Sequence, residues 1–341
     1  MTLPIGLRRR ALSGSQAPPE AIDAVYTWVD ADDPTWQRRK EGALGKERRS
    51  PLAIDSRRHR YRNHDELRYS LRSLERFAPW VRKVFVVTSG QRPHWLCDEA
   101  PRIEVVSHES IFPDPDVLPT FNSHAIELNV HRIPGLSHRF LYLNDDVFFG
   151  RECVADDYLD AGHGVTYFER IRLDRDLSRD HVTDRACAWT ADVVAGRLGR
   201  PRLTWMPAHV PQLYDRTLIE AIETSFADEF ARTRGSRFRA DDDFVLRIAY
   251  ASLFTSRHQR PRLLDWGSED YVFLRLRGSA FRRFLELAAV WRLRPKFLCL
   301  NDDLPTGWRG RLLVALMRSF LKLYFPTASG FERAPPSPAL L

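Results

Sequence analysis

The sequence predicts an α/β fold: a mainly parallel sheet flanked by helices, with further helices in the C-terminal part. Three observations predict it. Short runs rich in β-branched and aromatic residues alternate with segments whose apolar residues recur at helical spacing, the pattern of strand–helix–strand units. Two of those runs end in carboxylates: residues 22–29 stop at Asp30, and residues 140–143 stop at Asn144, Asp145 and Asp146. With 341 residues, 43% of them hydrophobic, the chain can bury a sizeable core.

The elements follow in order. Residues 1–21 contain Arg8, Arg9 and Arg10 but no apolar run after them, so they read as a flexible arm and not as a signal peptide. A single α/β domain is expected over residues 22–325, and the Pro- and Ser-rich residues 326–341 read as a loose tail. Within the domain, residues 22–29 are the first strand. The Arg- and Lys-rich residues 31–63 read as a long loop or short helices. Leu67, Leu71, Leu74 and Ala78 define a helix over 65–77, closed by Pro79. Strands follow at 84–88 and 103–107. Pro113, Pro115 and Pro119 mark a loop, and residues 124–133 form a short helix stopped by Pro134 and Gly135. A strand is expected at 165–168, and residues 173–202 show no clear period. Helices are expected at 217–230, 242–254, 279–291 and 309–324. The last is apolar on most sides, with Arg311, Arg318 and Lys322 interspersed. It reads either as a packed helix or as one lying in a membrane interface. No run reaches the roughly 18 apolar residues of a membrane span.

The net charge of +7 suits an anionic partner, such as a nucleotide-sugar, a phosphorylated polymer or an anionic membrane. No RRM, KH or zinc-finger pattern is present, which argues against nucleic acid. The four cysteines lie far apart without a C-x-x-C pair, which argues against a zinc site or disulfide scaffold and points to the cytoplasm.

Four polar clusters stand out against the apolar framework. Asp145 and Asp146 lie inside an apolar segment, where ionised carboxylates need a cation or strong donors. A hard divalent metal bridging to a substrate phosphate would supply that charge; capping of the next segment is the plainer alternative. In a parallel sheet Asp30 would end on the same edge. Arg68 and Arg72, four apart on one helix face, suit a phosphate, or equally pairing with Asp65, Glu66 and Glu75. Asn122 or Ser123 caps a helix with Glu127 one turn in, and His124 and Glu127 are placed to face a ligand. His209, between Pro207 and Pro211, suits a general base but also an ordinary loop. Arg239 precedes Asp241, Asp242 and Asp243, which capping alone would explain, and Asn301, Asp302 and Asp303 follow later.

Together these clusters resemble the four ordered blocks of the Stealth family of bacterial capsular and exopolysaccharide hexose-1-phosphate transferases, which are related to the animal N-acetylglucosamine-1-phosphotransferase. Residues 22–30 resemble the first block. Residues 65–75, with Pro79, Trp80 and residues 87–91, resemble the second. Residues 121–150 resemble the third, and residues 205–209 through Arg239 and Asp243 the fourth. The resemblance implies a Rossmann-like, GT-A-like sheet. It also implies transfer of a sugar-1-phosphate from a UDP-sugar to a glycan hydroxyl with release of UMP. Carried onto this sequence, His209 is the expected general base and Arg239 neutralises phosphoryl oxygens. Asp145, with Asp146 and Asp302, is expected to hold Mg²⁺ or Mn²⁺. Asp30, Arg68, Arg72, Asn122, Glu127, Asn144 and Asp243 are expected to position the donor. Three other readings remain: a metal-dependent GT-A-type glycosyltransferase, which would release UDP; a non-catalytic glycan-binding protein; and a basic nucleic-acid binder, which would show steep salt dependence and no UDP-sugar affinity.

Overall fold

The computed structural model describes residues 21–47, 54–55, 61–160, 162–173, 182–254, 259–305 and 307–334. In chain order its main elements are β1 (Ile22–Thr27), α1 (Pro34–Glu47), α2 (Glu66–Phe77), β2 (Val84–Thr88), β3 (Ile103–Ser107), α3 (Ser123–Glu127), β4 (Arg139–Asn144), β5 (Val147–Phe149) and β6 (His163–Arg172). There follow α4 (Val182–Leu198), β7 (Trp205–Pro207), β8 (Gln212–Asp215), α5 (Arg216–Ser225), α6 (Ala227–Gly235), β9 (Arg239–Ala240), α7 (Leu246–Phe254), β10 (Gln259–Leu264), β11 (Tyr271–Arg275), α8 (Ala280–Leu293), β12 (Phe297–Asn301) and α9 (Trp308–Tyr324).

The central sheet has the order β8-β4-β1-β2-β3. Its inner pairs are parallel, and β8 lies antiparallel on β4. Such a sheet is covered on both faces, so its strands read as nearly continuous apolar runs. Tyr26, Val84, Val86, Leu141 and Leu143 face Leu67, Leu71 and Leu74 of α2. Their alternates Val25, Phe85, Val87, Phe140 and Tyr142 face Ala125, Ile219 and Phe244 on the other side. The period of two decides which face each side chain joins.

A second sheet, β11-β12-β5, begins where the first ends: only Asp145 and Asp146 separate β4 from β5. Strand β12 runs parallel to β11 and antiparallel to β5, with Cys299 opposite Val147. Helices α8 and α9 cover this sheet, burying Leu287, Val290, Leu313, Met317 and Leu321 with Phe148, Leu298 and Leu300. Gly150 is required at the junction, because a Cβ there would collide with the Pro295 carbonyl. A third group pairs β6 with β10 in parallel and with β7 antiparallel.

Several expectations need correction. Residues 173–202 are not without period throughout: α4 occupies 182–198 and buries Ala186, Cys187, Ala191 and Val194. Its apolar residues are split between two cores, with Trp189, Val193 and Leu198 packing on a different one from Ala186, Cys187 and Ala191, which blurs the apolar stripe. The helix expected at 217–230 is two, α5 and α6, broken at Phe226 where φ is −130°. The helix expected at 124–133 stops at Glu127 and is followed by a short 3-10 turn, Val130–Arg132. The helix expected from 242 starts only at Leu246, because Asp243 accepts from the Ala240 amide and holds a turn. The tail is not loose over residues 326–334: Phe331 is buried, its carbonyl accepts from the Cys97 amide, and Glu332 bridges to Leu96. Residues 1–20 of the expected arm and 335–341 of the tail lie outside the described residues. Among the described residues no helix is long and apolar enough to cross a membrane.

Candidate active site

The parallel register sets Thr27 opposite Asn144, so β1 and β4 deliver Asp30 and Asp145 to one sheet edge, as the sequence led us to expect. Three further elements converge there. Strand β12 ends in Asn301 and Asp302, and it is fixed to the acidic turn by the Leu300 amide, which donates to the Asp146 carbonyl at 3.0 Å. Helix α2 begins at Glu66. The segment after β7 brings His209 in, with the Ala208 amide donating to the Tyr167 carbonyl of β6.

His209 Nε2 is 3.3 Å from Asp146 Oδ1 and 3.2 Å from Asn144 Nδ2. With its proton on Nδ1, the imidazole accepts from the Asn144 amide; with the proton on Nε2, it donates to Asp146. Asp146 Oδ2 is also approached by Asn301 Nδ2 at 3.4 Å and Cys299 Sγ at 3.6 Å. Asp302 divides its oxygens. Oδ1 accepts from Arg62 at 2.8 Å and from the Leu304 amide at 2.9 Å. Oδ2 is buried without a hydrogen bond and lies 3.6 Å from His64 Nε2. Asn63 donates to Asp30 Oδ2 at 3.2 Å, and Gln91 brackets the Asp30 backbone. The short stretch from Arg62 to Glu66 thus links the Asp30 side of the edge to the Asp302 side.

The electrostatics of this edge are strained by like charge. Burial, then the negative charges of Glu66, Asp146 and Asp302, push the Asp145 carboxyl well above the usual carboxylate range. Burial raises Glu66 to about 7, with Asp302 adding to the rise and His64 opposing it. Acids crowded this way hold protons unless a cation joins them. The uncommitted Asp302 oxygen, the crowding around Asp145 and the hard oxygen chemistry of Asp145, Asp146 and Asp302 therefore fit a divalent cation. Among the described residues, the metal-capable trio with ligand atoms mutually within 4.8 Å is Asp146, His209 and Cys299. It shares only Asp146 with the expected set. Burial and Asp146 push the Cys299 thiol far up, so it stays protonated and suits a hard cation poorly.

The remaining expected residues fall into two other places. Asn122 caps α3 through the His124 amide and donates to Asp243 Oδ2 at 2.9 Å; His124 Nδ1 lies 3.0 Å from the same oxygen. Asp243 is thereby the buried hub of the turn that carries Arg239, whose Nη2 donates to Ser123 at 2.5 Å. Glu127 is buried one turn further on and accepts from Tyr214 at 2.8 Å. Burial raises its carboxyl, and Arg247, Tyr214, His209 and Arg239 partly offset the rise, which places both His209 and Arg239 within electrostatic reach of it. Arg68 and Arg72 are elsewhere. They close on Glu332 of the C-terminal segment at 2.5 and 2.6 Å, so the expectation that they clasp a donor phosphate is corrected. Two guanidiniums on a half-buried face need a counter-charge, and the chain supplies its own.

Glu66, Arg62, His64, Asn301 and Arg247 escaped the sequence reading as site residues. Glu66 was counted as surface charge for Arg68 and Arg72. Its one signal was position, since it opens a helix immediately before the buried Leu67 and Leu71.

Comparison with known proteins adds a family pattern to this geometry. The chain matches four models in order: Stealth protein conserved region 1 over residues 20–48, region 2 over 60–166, region 3 over 208–253 and region 4 over 288–339. Two exopolysaccharide phosphotransferases of Streptomyces coelicolor are 36% and 40% identical to it over 315 and 318 residues. The matches cover 92% of this chain and 57% and 51% of those proteins. The exopolysaccharide phosphotransferase CpsY of Mycobacterium tuberculosis is 35% identical over 330 residues, covering 92% of this chain and 58% of CpsY. The chain therefore spans about half the length of the curated relatives it matches. A crystal structure of the galactosyltransferase LgtC with donor and acceptor sugar analogues aligns over 87% of this chain and 96% of LgtC, at 11% identity and a TM-score of 0.40. At that level the likeness carries no argument about activity.

Proposed function

The chain belongs to the Stealth family, and on that premise we propose that it moves hexose-1-phosphate from a UDP-sugar to a glycan hydroxyl. The donor is a UDP-N-acetylhexosamine, the product is a phosphodiester in exopolysaccharide or capsule synthesis, and UMP is released in the cytoplasm. One observation carries the reading: His209 Nε2 lies against Asp146 and Asn144 on an edge crowded with Glu66, Asp145 and Asp302. That is a proton acceptor beside a group of acids that suits a cation.

The acceptor oxygen attacks the sugar-bearing phosphorus as its proton passes to His209 Nε2. The new O–P bond forms as the P–O bond to UMP breaks, and the electron pair leaves with UMP. Asp146 faces the imidazolium that results and stabilises it, while Asn144 holds the ring in the accepting state beforehand. Arg239 offers a planar cation for the equatorial oxygens from a turn held by Asp243. Asp30, fixed by Asn63 and Gln91, lines the donor side. Asp145, Asp146 and Asp302 would hold Mg²⁺ or Mn²⁺, which when bound neutralises the diphosphate charge.

The test is incubation with a panel of UDP-sugars and glycan acceptors, with UMP and UDP separated by chromatography. UMP release is expected. UDP release would replace the proposal with glycosyl transfer, and sugar binding without turnover would replace it with a glycan-binding role. His209→Ala should reduce UMP release by about a hundredfold or more while UDP-sugar affinity holds.

A further inference from the structure

We propose that the outer face of α8 and α9 docks this protein onto an anionic lipid bilayer. The face is remote in kind from the acidic edge and does not depend on the reaction assigned to it. Helix α8 is amphipathic in an unusual way, because it has two apolar stripes. Leu287 and Val290 pack into the second core. On the opposite side Phe281, Phe284 and Leu285 recur at helical spacing and are exposed, Phe281 at 71%, while Trp291 is partly exposed beside Phe320 and Tyr324 of α9. Helix α9 repeats the arrangement. Leu313, Met317 and Leu321 are buried, while Trp308, Leu312 and Leu323 are exposed. Of the twelve exposed large apolar side chains among the described residues, seven lie on these two helices. That concentration sets the face apart from the scatter normal on a soluble surface.

Charge decides what the face suits. The two helices carry seven basic residues and one acid, Glu286, and Glu286 is already paired with Arg282 and Arg283. Their excess accounts for most of the net +7 of the whole chain. Arg292, Arg309, Arg311 and Lys322 pair with no carboxylate among the described residues, whereas Arg318 is turned aside to Asp65. A protein partner with an apolar surface would leave these cations unmatched on desolvation. An anionic bilayer matches both features, since aromatic and leucine side chains enter the headgroup boundary while long basic side chains reach the phosphates. No helix here crosses the bilayer; the two would lie along it. The topology then gives the docking a consequence. Trp308 is six residues beyond Asp302, a reach of at most about 20 Å for an extended chain. The Asn301–Asp302 edge of the candidate site therefore stays near the lipid surface.

The experiment is co-sedimentation of the full chain with phosphatidylcholine vesicles, with and without phosphatidylglycerol. Binding is expected only with phosphatidylglycerol, and should weaken with salt. Phe281→Ser with Phe284→Ser, and separately Arg309→Glu with Arg311→Glu, should each reduce bound protein by about tenfold. Because all four side chains are exposed, melting temperatures should not change. Arg38→Glu with Arg39→Glu, an equal charge change on α1, should retain more than half of the binding. Failure to sediment with phosphatidylglycerol overturns the proposal. So does an equal loss in the α1 variant, which would mean attraction by net charge alone. Self-association that the phenylalanine substitutions abolish, with vesicle binding unchanged, would assign the face to a second copy of the chain and overturn it as well.

Discussion

Two groups of acids in this molecule have opposite electrostatics. Glu332 is buried, and burial alone would raise it, but Arg72, the Ser329 amide and Arg68 hold it down at about 2. Glu66 and Asp145 are also buried, and burial raises both; neighbouring acids add to the rise, His64 only partly opposes it at Glu66, and no arginine closes on either. In the first group the chain supplies the countercharge. In the second it supplies only His64, at Glu66, so a cation from outside the chain would fit there. A carboxylate with its partner built in is a tie between segments; one without is poised for a ligand.

The largest effect that separates the two comes from removing charge at the poised group. Asp145→Asn keeps the shape and relieves repulsion with Glu66, Asp146 and Asp302. UMP release should fall by about a hundredfold or more, the scale of losing one preorganised electrostatic group. The melting temperature should hold or rise. Full turnover in this variant would return Asp145 to a turn-capping role.

Glu332→Gln should do the reverse. It leaves Arg68 and Arg72 without their countercharge and removes the ion pairs that tie the 326–334 segment to α2. Loss of one partner of a buried pair costs about 3 kcal/mol, taken at the low end because Arg68 is partly exposed. Chemical denaturation should register that cost, with turnover per folded molecule unchanged. A drop in turnover without a drop in stability would restore Arg68 and Arg72 to the donor site.

The same contrast marks what was legible in the sequence. Buried parallel strands are written as nearly uninterrupted apolar runs, so β2 was readable to the residue and β1 and β4 to within about two; β3, an edge strand with Glu104 exposed, was readable from its β-branched residues instead. The edge carrying Asp30 and Asp145 followed from them. The second sheet was not readable, because β5 and β12 are short and gain their meaning only from pairing across more than a hundred residues. Nor could spacing show that Arg68 and Arg72 face Glu332, which is distant in the chain. Glu66 was hidden for a related reason: its surroundings are Asp145 and Asp302, and α2 itself marks it only by its place before the buried Leu67. Local pattern singled out His209 and Asp302 without a role, and the block resemblance supplied the roles expected of them.

A divalent cation should act on the two groups of acids differently. If the crowded acids await one, Mn²⁺ or Mg²⁺ should raise the melting temperature of the free protein near neutral pH. The rise should shrink in acid, where Glu66 and Asp145 already hold protons, and disappear in Asp145→Asn. Glu332→Gln should respond as the unmodified protein does. An equal rise in both variants would locate the cation elsewhere.

The smallest effect concerns pH and follows from the sign of each shift. Glu332 titrates lower in the folded chain than its ordinary 4.5, so its contribution is present above 4.5 and is lost as pH falls toward about 2. Glu66 titrates higher when folded, at about 7, so the folded chain binds a proton the unfolded chain releases. Its contribution is present below 4.5 and is lost as pH rises from there to about 7. Asp145 shifts in the same direction and deepens that loss. Glu66→Gln removes the titration and one negative neighbour of Asp145, so the decline between pH 4.5 and 7 should become shallower without vanishing. The acid limb set by Glu332 should not move. Denaturation midpoints of the two proteins across that range give the slopes directly. An unchanged slope would mean that Glu66 is ionised throughout and that the chain, after all, neutralises it.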